Sequence, residues 1–416
     1  MGSTVARPSA WRKLQGIALC ASGAEGLLLA ALSVMAVSLT ADPKSVSLVT
    51  AASQAPWVVL PLAVGVLIDR VRKSSLLGVS LAVQAVAYLG LVVAVLMGAA
   101  SLSVLMAAAF VLVAGQVIGE GTRGALVPWV VGPTGLDAAN SRLLFIDVGV
   151  VRFLVPPVAG FLVVWNPVSV GWAALAASAV ALALSTRLRT PDVQPPVTRL
   201  RPVHEVKLGL RYLFGNRLLR SITVEVSAAS FAWFMGYATL VLYVERVLHL
   251  DRWWYGVLLA CMAVGFAAAA PLSGRVIARL GYPVTMRAAM ACEVVCKLLL
   301  GVVAAHWASV GAVLALHSFV TFLWNVGSQS SRQRFTPPEL LGRVLTSHRA
   351  LSWGVAPLGA AAGGLVAASW GLDTVWGVAA AAQAVGIALV WRNLSRRAFD
   401  EARLPSPSEN DHAKRP

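Results

Sequence analysis

Charge is scarce in this chain. Asp, Glu, Lys and Arg make up 12% of its 416 residues, about half the share of an ordinary soluble domain. A charged, water-facing surface of normal extent is therefore excluded. Cysteine is rare as well: Cys20, Cys261, Cys292 and Cys296 all fall inside apolar runs. That excludes a fold built on disulfides. Cys292 and Cys296 stand four apart without the companion ligands that zinc needs, so they read as small packing residues. No G-x-x-x-x-G-K-[ST] loop occurs, and no polar stretch is long enough to form a nucleotide-hydrolysing domain.

Apolar residues fill the space instead, at 58% of the chain with a mean hydropathy of +0.75. Roughly 20 such residues in a row cross a bilayer. Apolar runs lie at 14–40, 47–68, 75–99, 102–122, 143–165 and 168–186, then at 222–244, 253–273, 283–304, 307–327, 344–368 and 371–391. The expected fold is all-α and polytopic, with twelve spans in two six-helix halves. The expected domains are 1–186, a basic linker at 187–221, 222–391, and a polar, disordered tail at 392–416. The linker segment EVKLGLRYLFGNRLLR (205–220) mixes leucines with bases and reads as an interfacial amphipathic helix. The first run is too long for a signal peptide and lacks a cleavage pattern.

The net charge of +16 could suggest nucleic acid, but its placement argues for topology. Most Lys and Arg lie in the tails, the linker and one set of loops, while Lys44, Arg246 and Arg252 mark the other set. Lys and Arg gather on the cytoplasmic side of a membrane, so both termini are expected there. No nucleic-acid partner is expected. Asp42-Pro43, Asn166-Pro167 and Gly281-Tyr282-Pro283 supply turn signals between runs.

One charged knot stands out. Residues 65–75 read GVLIDRVRKSS, and about half the chain later 274–281 read GRVIARLG. Each links the second and third run of its half, which suggests a duplicated six-span unit with pseudo-two-fold symmetry. The first copy resembles the loop signature of the major facilitator superfamily, G-x-x-x-D-R-x-G-R-[RK], without its second glycine. WNVGSQSSRQRFTPPELLGRV (324–344) and SWGVAPLGAAAGG (352–364) resemble the branch that holds bacterial macrolide exporters and enterobactin-type siderophore exporters. The same resemblance implies a G-P-x-x-G bend in the fifth span. Pro156-Pro157-Val158-Ala159-Gly160 keeps Pro157 and Gly160 of it. The family's fourth-span arginine is missing, and Arg152 is a candidate to replace it.

Several residues carry expectations. Asp69 and Arg70 can bond helix ends and form a cytoplasmic latch, with Arg279 as the echo and Glu120 and Arg123 as a nearby gate network. Arg72 and Lys73 serve topology and anionic lipid, about 1 kcal/mol each near such a surface. Ionisable groups inside spans are functional hypotheses. Glu25, Asp147 and Arg152 are proton-coupling candidates, and Glu225 also falls within a span. Glu293 and Lys297, four apart in the favourable order, read as an in-helix ion pair or a cavity pair. Gln54, Trp57, Gln84, Trp233, Tyr237, Phe322, Trp324 and Asn325 are candidates for a mostly apolar cavity wall. His317 alone carries little weight. Arg332 and Arg334 are placed in a cytoplasmic turn. Pro357 bends the eleventh span, and Gly359, Gly363 and Gly364 allow close packing.

These features point to a bacterial inner-membrane protein, not an enzyme, acting as a monomer. The reading is proton-driven export of a hydrophobic or amphipathic small molecule by alternating access, with no cofactor or metal. A proton-coupled importer of a small metabolite and a non-transporting sensor are the alternatives.

Overall fold

The computed structural model describes residues 7–58, 60–61, 64, 67, 71–131, 143, 146, 155, 158–159, 162, 166–188, 202–302 and 306–401. Asp69, Arg70, Asp147, Arg152, Pro157 and Gly160 lie outside the described residues, so the latch at Asp69 and Arg70 and the fifth-span bend fall there too. The described chain is helical throughout: α1 (Pro8–Leu39), α2 (Pro43–Gln54), α3 (Lys73–Leu96), α4 (Leu102–Val131) and α5 (Pro167–Thr186) precede the linker. After it come α6 (Pro202–Gly215), α7 (Arg217–Arg246), α8 (Trp254–Leu280), α9 (Tyr282–Val302) and α10 (Trp307–Arg334). Next are α11 (Pro338–Gly354), α12 (Ala356–Trp370) and α13 (Leu372–Val390), then a 3₁₀ turn (Trp391–Leu394) and α14 (Arg396–Glu401).

Among the described residues, nine helices are long and apolar enough to cross a bilayer. Their outer faces are apolar. Val86 is 70% exposed, Val302 81% and Leu389 72%. In water such faces would be costly, whereas acyl chains suit them. The polar residues point inward. On α9, Thr285, Met286, Ala289, Glu293, Cys296 and Lys297 follow the helical repeat as one buried stripe. On α13, Val375, Trp376, Ala379, Gln383 and Gly386 do the same. The chain is thus an all-α polytopic membrane protein.

The helix starts follow from local chemistry. Asp42 accepts from the Lys44 and Ser45 amides, with Pro43 at the first turn of α2. Asn166 accepts from the Val168 amide at α5. Gly281, at φ 76°, separates α8 from α9. Asn216 accepts from the Leu218 and Leu219 amides and so starts α7. That cap corrects the linker expectation: the helix does not run from 205 to 220 but ends at Gly215. Nor does α6 only rest on the membrane surface. Leu213 is fully buried, and Tyr212 donates to the Phe335 carbonyl at 3.0 Å.

Contacts define two ends of the bundle. At one, Lys13 donates to the Arg187 carbonyl, Arg7 lies over Trp129, and Arg287 donates to the Trp391 carbonyl. We term this the basic end. At the opposite end Arg246 donates to the Ala41 carbonyl, and Trp254 packs on Trp307. Here α2 lies against α12 so closely that a Cβ on Gly364 would come within 2.5 Å of Ser47 Oγ and 2.8 Å of the Pro43 carbonyl oxygen. On the same helix, a Cβ on Gly359 or Gly363 would strike the Phe231 or Met235 carbonyl of α7. Lipid tails are as apolar as leucine, so close backbone packing of this kind holds membrane helices together.

Candidate functional site

A cavity of about 930 Å³ lies inside the bundle, lined by α1, α2, α4 and α7 to α11. Among the described residues, its lining includes some near the basic ends of their helices, such as Val127 and Arg349, but none from the loops at the opposite end. Of the expected wall residues, Gln54, Trp57, Trp233, Tyr237, Trp324 and Asn325 line it. Gln84 does not; it is buried against Gly115, between α3 and α4. Phe322 is also outside the lining and packs edge-on against Phe266 at 4.7 Å. Phe234, Phe266 and Trp353, absent from the sequence-based set, complete an aromatic wall.

Glu25 of α1 and Arg123 of α4 both face this space. Glu120, expected to work with Arg123, is held by Arg349 at 3.2 Å. Gln116, one turn earlier, donates to its other oxygen at 3.0 Å. Arg349 also lies over the Trp57 ring, 4.5 Å from its centroid. This contact joins α4 to α11, across the two parts of the sequence. Arg279 is exposed at the end of α8 and has no partner among the described residues. The eleventh span is broken where proline suggested: α11 ends at Gly354, Val355 intervenes, and Pro357 is the second residue of α12.

The richest chemistry lies behind the α9 and α10 walls. Lys297 is fully buried. Its ammonium donates to Gln383 Oε1 at 2.6 Å and meets His317 Nε2 at 3.0 Å. With Lys297 as an ammonium, which can only donate, this imidazole nitrogen accepts and the ring is neutral. Because Gln383 Oε1 faces the ammonium, its amide nitrogen is turned the other way. It donates to Glu225 Oε1 at 3.0 Å and Glu293 Oε2 at 2.7 Å. Thr321 donates to Glu293 Oε1 at 2.8 Å. Trp233 stacks on His317, ring centroids 4.6 Å apart.

Both Glu293 and Lys297 line the cavity, and a third residue joins the expected pair. Glu293 and Lys297 share a face, but Gln383 of α13 stands between their charged ends and bonds both. Sequence reasoning missed Gln383 and gave Glu225 no task. The signal was weak: each is one polar residue in an apolar helix, and only folding brings α7, α9, α10 and α13 together. A second buried group lies nearer the basic end. Arg332 donates to Ser328 at 2.8 Å and Gln329 at 2.9 Å and contacts His348. His348 in turn meets Thr223 at 2.9 Å. Arg332 is thus buried in the last turn of α10, not exposed in the turn after it. Among the described residues, no group of three His, Cys, Asp or Glu side chains is gathered to hold a metal.

An apolar bundle enclosing a cavity edged by buried acid and base defines a membrane carrier. The sequence profile of the Major Facilitator Superfamily matches residues 16–348; the chain belongs to that superfamily, a class of transporters and not enzymes. It is a multi-pass membrane protein, consistent with the bacterial inner membrane. No curated protein matches it significantly. Among solved structures, a bacterial homolog of the human lysosomal transporter Spinster, inward-facing and occupied, is 13% identical with a TM-score of 0.72. That match covers 97% of this chain and 100% of the other. A bacterial homologue of the iron transporter ferroportin, inward-facing, is 17% identical with a TM-score of 0.71, covering 93% and 99%. The outward-facing form described in the same words is 18% identical with a TM-score of 0.62, covering 92% and 98%.

Proposed function

We propose that the chain is a secondary active exporter that moves a hydrophobic or amphipathic drug, antibiotic or natural product out of the cell in exchange for protons. The observation that carries this reading is the cavity. An aromatic and mostly apolar wall takes up apolar cargo, while Glu25 and Glu293 at its edge supply groups able to carry protons. Glu25, Asp147 and Arg152 remain the coupling candidates on the first half. Resemblance of residues 324–364 to macrolide and siderophore exporters supports the outward direction.

In this reading twelve spans form two six-helix halves related by a pseudo-two-fold axis, with both termini and the linker in the cytoplasm. The basic end then faces the cytoplasm and its anionic lipids. Close packing of α2 on α12 at the other end, and the higher TM-score to the inward-facing relative, support an inward-facing state. The cavity lies within one chain, which supports action as a monomer. Asp69 and Arg70, with Arg279, act as a cytoplasmic latch in the opposite state.

Inside-out vesicles with an imposed pH gradient test the proposal. Fluorescent amphipathic dyes and a macrolide panel should accumulate when the lumen is acid and leave when the gradient is collapsed. Accumulation without any gradient, or proton flow in the same direction as cargo, would exclude antiport.

A further inference from the structure

The buried cluster on α7, α9, α10 and α13 does not balance its charge. Glu225 and Glu293 carry two carboxylates, Lys297 carries one ammonium, and His317 is neutral by its hydrogen bond from Lys297. One negative charge is left over in a site where Glu225 is fully buried and Glu293 is 3% exposed. An uncompensated buried charge costs several kcal/mol. The hydrogen bonds show where it falls. Both oxygens of Glu293 accept, one from Thr321 and one from Gln383. Glu225 Oε1 accepts from Gln383, but Glu225 Oε2 is buried with no hydrogen-bond partner among the described residues. It lies beside Gly386, where no side chain stands to meet it.

We infer that Glu225 and Glu293, bridged by Gln383, form a site that binds one exchangeable proton. The proton adds to Glu225 Oε2, the oxygen left open, and converts that carboxylate to a neutral acid; no other bond changes. The cluster then holds one carboxylate against one ammonium. Two coupled carboxylates share the titration, so it belongs to the pair. Entry is through the cavity, because Glu293, Lys297 and His317 line it while Glu225 and Gln383 lie behind them.

The ionisable groups facing Glu225 come from several helices. On α9 these are Glu293, Lys297 and the buried Cys296, and on α10 His317. Gln383 of α13 is polar but does not titrate, and α12 carries no ionisable residue. His348 of α11 bonds Thr223, two residues before Glu225, at the basic side, and Arg332 of α10 contacts His348 in turn. Glu25 of α1 stands across the cavity. Gln383 is a positioning residue. Its carbonyl is pinned by Lys297, which aims both amide hydrogens at the carboxylates and fixes how strongly each is stabilised.

The proton-coupled reading above supplies a use for this proton, not the argument for its presence, and the test separates the two. The full chain in lipid nanodiscs is titrated by infrared difference spectroscopy, which sees the C=O stretch of a protonated carboxyl, with no cargo added. A protonated-carboxyl band should disappear as pH rises, be absent in Glu225→Gln, and persist with altered frequency in Glu225→Asp. In Glu293→Gln the remaining charges balance, so the band should titrate at least tenfold higher in proton concentration. Gln383→Met should move the midpoint by a comparable factor, a response that a purely structural contact would not give. The inference is overturned if Glu225→Gln keeps the wild-type band, or if neither Glu293→Gln nor Gln383→Met moves the midpoint. It is also overturned if exchanging sodium for choline moves the midpoint tenfold, since the site would then hold a metal cation. A titrating pair in a chain that never accumulates dye would sink coupled export and leave this site standing.

Discussion

Arg349 and Glu120 meet at 3.2 Å across the cavity, one on α11 and the other on α4. Both are partly exposed, so the pair adds no more than about 1 kcal/mol to stability. In the proposed alternating-access cycle its weight falls on the balance between arrangements of the two helix groups. Glu120→Gln and Arg349→Gln should leave thermal unfolding in detergent nearly unchanged yet slow gradient-driven dye uptake several-fold. The charge swap Glu120→Arg with Arg349→Glu should recover part of that loss. A swap no better than either single change would show that the contact has no part in transport.

Lys297 is the one ammonium set against two buried carboxyl groups, Glu225 and Glu293. Lys297→Met should destabilise the protein by about 3–5 kcal/mol, the cost of leaving buried charge unpaired. Adding Glu293→Gln should restore much of it, because a single carboxylate then remains. Thermal unfolding of wild type, both single variants and the double variant gives the comparison. Independent, additive effects would contradict the shared network through Gln383.

Two glycines should behave oppositely. Gly363 has the Met235 carbonyl where a side chain would go, so Gly363→Leu should cost about 1–3 kcal/mol or more by forcing α7 and α12 apart. Gly274, part of the repeated motif, has open space around it. There Gly274→Ala should be neutral or stabilise α8 by up to about 1 kcal/mol. Monodispersity and melting temperature in the same detergent decide both.

Asp42 caps α2, with the Ser45 hydroxyl at 2.7 Å. That bond, with help from the Ser45 and Lys44 amides, holds its carboxyl below the usual range. The folded value is lowered, so the cap's contribution is present above the unfolded value of about 4 and fades as pH falls through the lower folded one. Asp42→Ala should cost about 1 kcal/mol at neutral pH. The gap to wild type should close in strong acid. A gap that is the same at neutral and acid pH would show that the carboxylate is not the cap.

Much of the architecture was legible because lipid imposes a simple rule. Long apolar runs had to become helices, and Asp42-Pro43, Asn166-Pro167 and Gly281 had to interrupt them. The linker helix was misjudged at Asn216, where one side chain bonding two amides outweighed the continuing run of leucines and bases. Glu120 was read with Arg123 because sequence shows neighbours on one helix. Arg349, which bonds it in the folded chain, is far along the sequence. Glu293 and Lys297 gave a visible spacing and an incomplete pairing for the same reason. Gln383 had no visible cue at all: one amide in α13 matters only because α7 and α9 each place a carboxylate against it.

The contact of Gly364 with Ser47 has a further consequence. A plug made of a long side chain can swing away by rotating about a single bond. Here the obstruction is backbone against a short hydroxyl, so no rotation of one residue clears it. In the proposed inward-facing state, passage at that end requires α2 and α12 to part as whole rods. The tightness of the barrier against stray ions is then set by how stiffly helices are held, and small residues along this seam are intolerant of any added bulk.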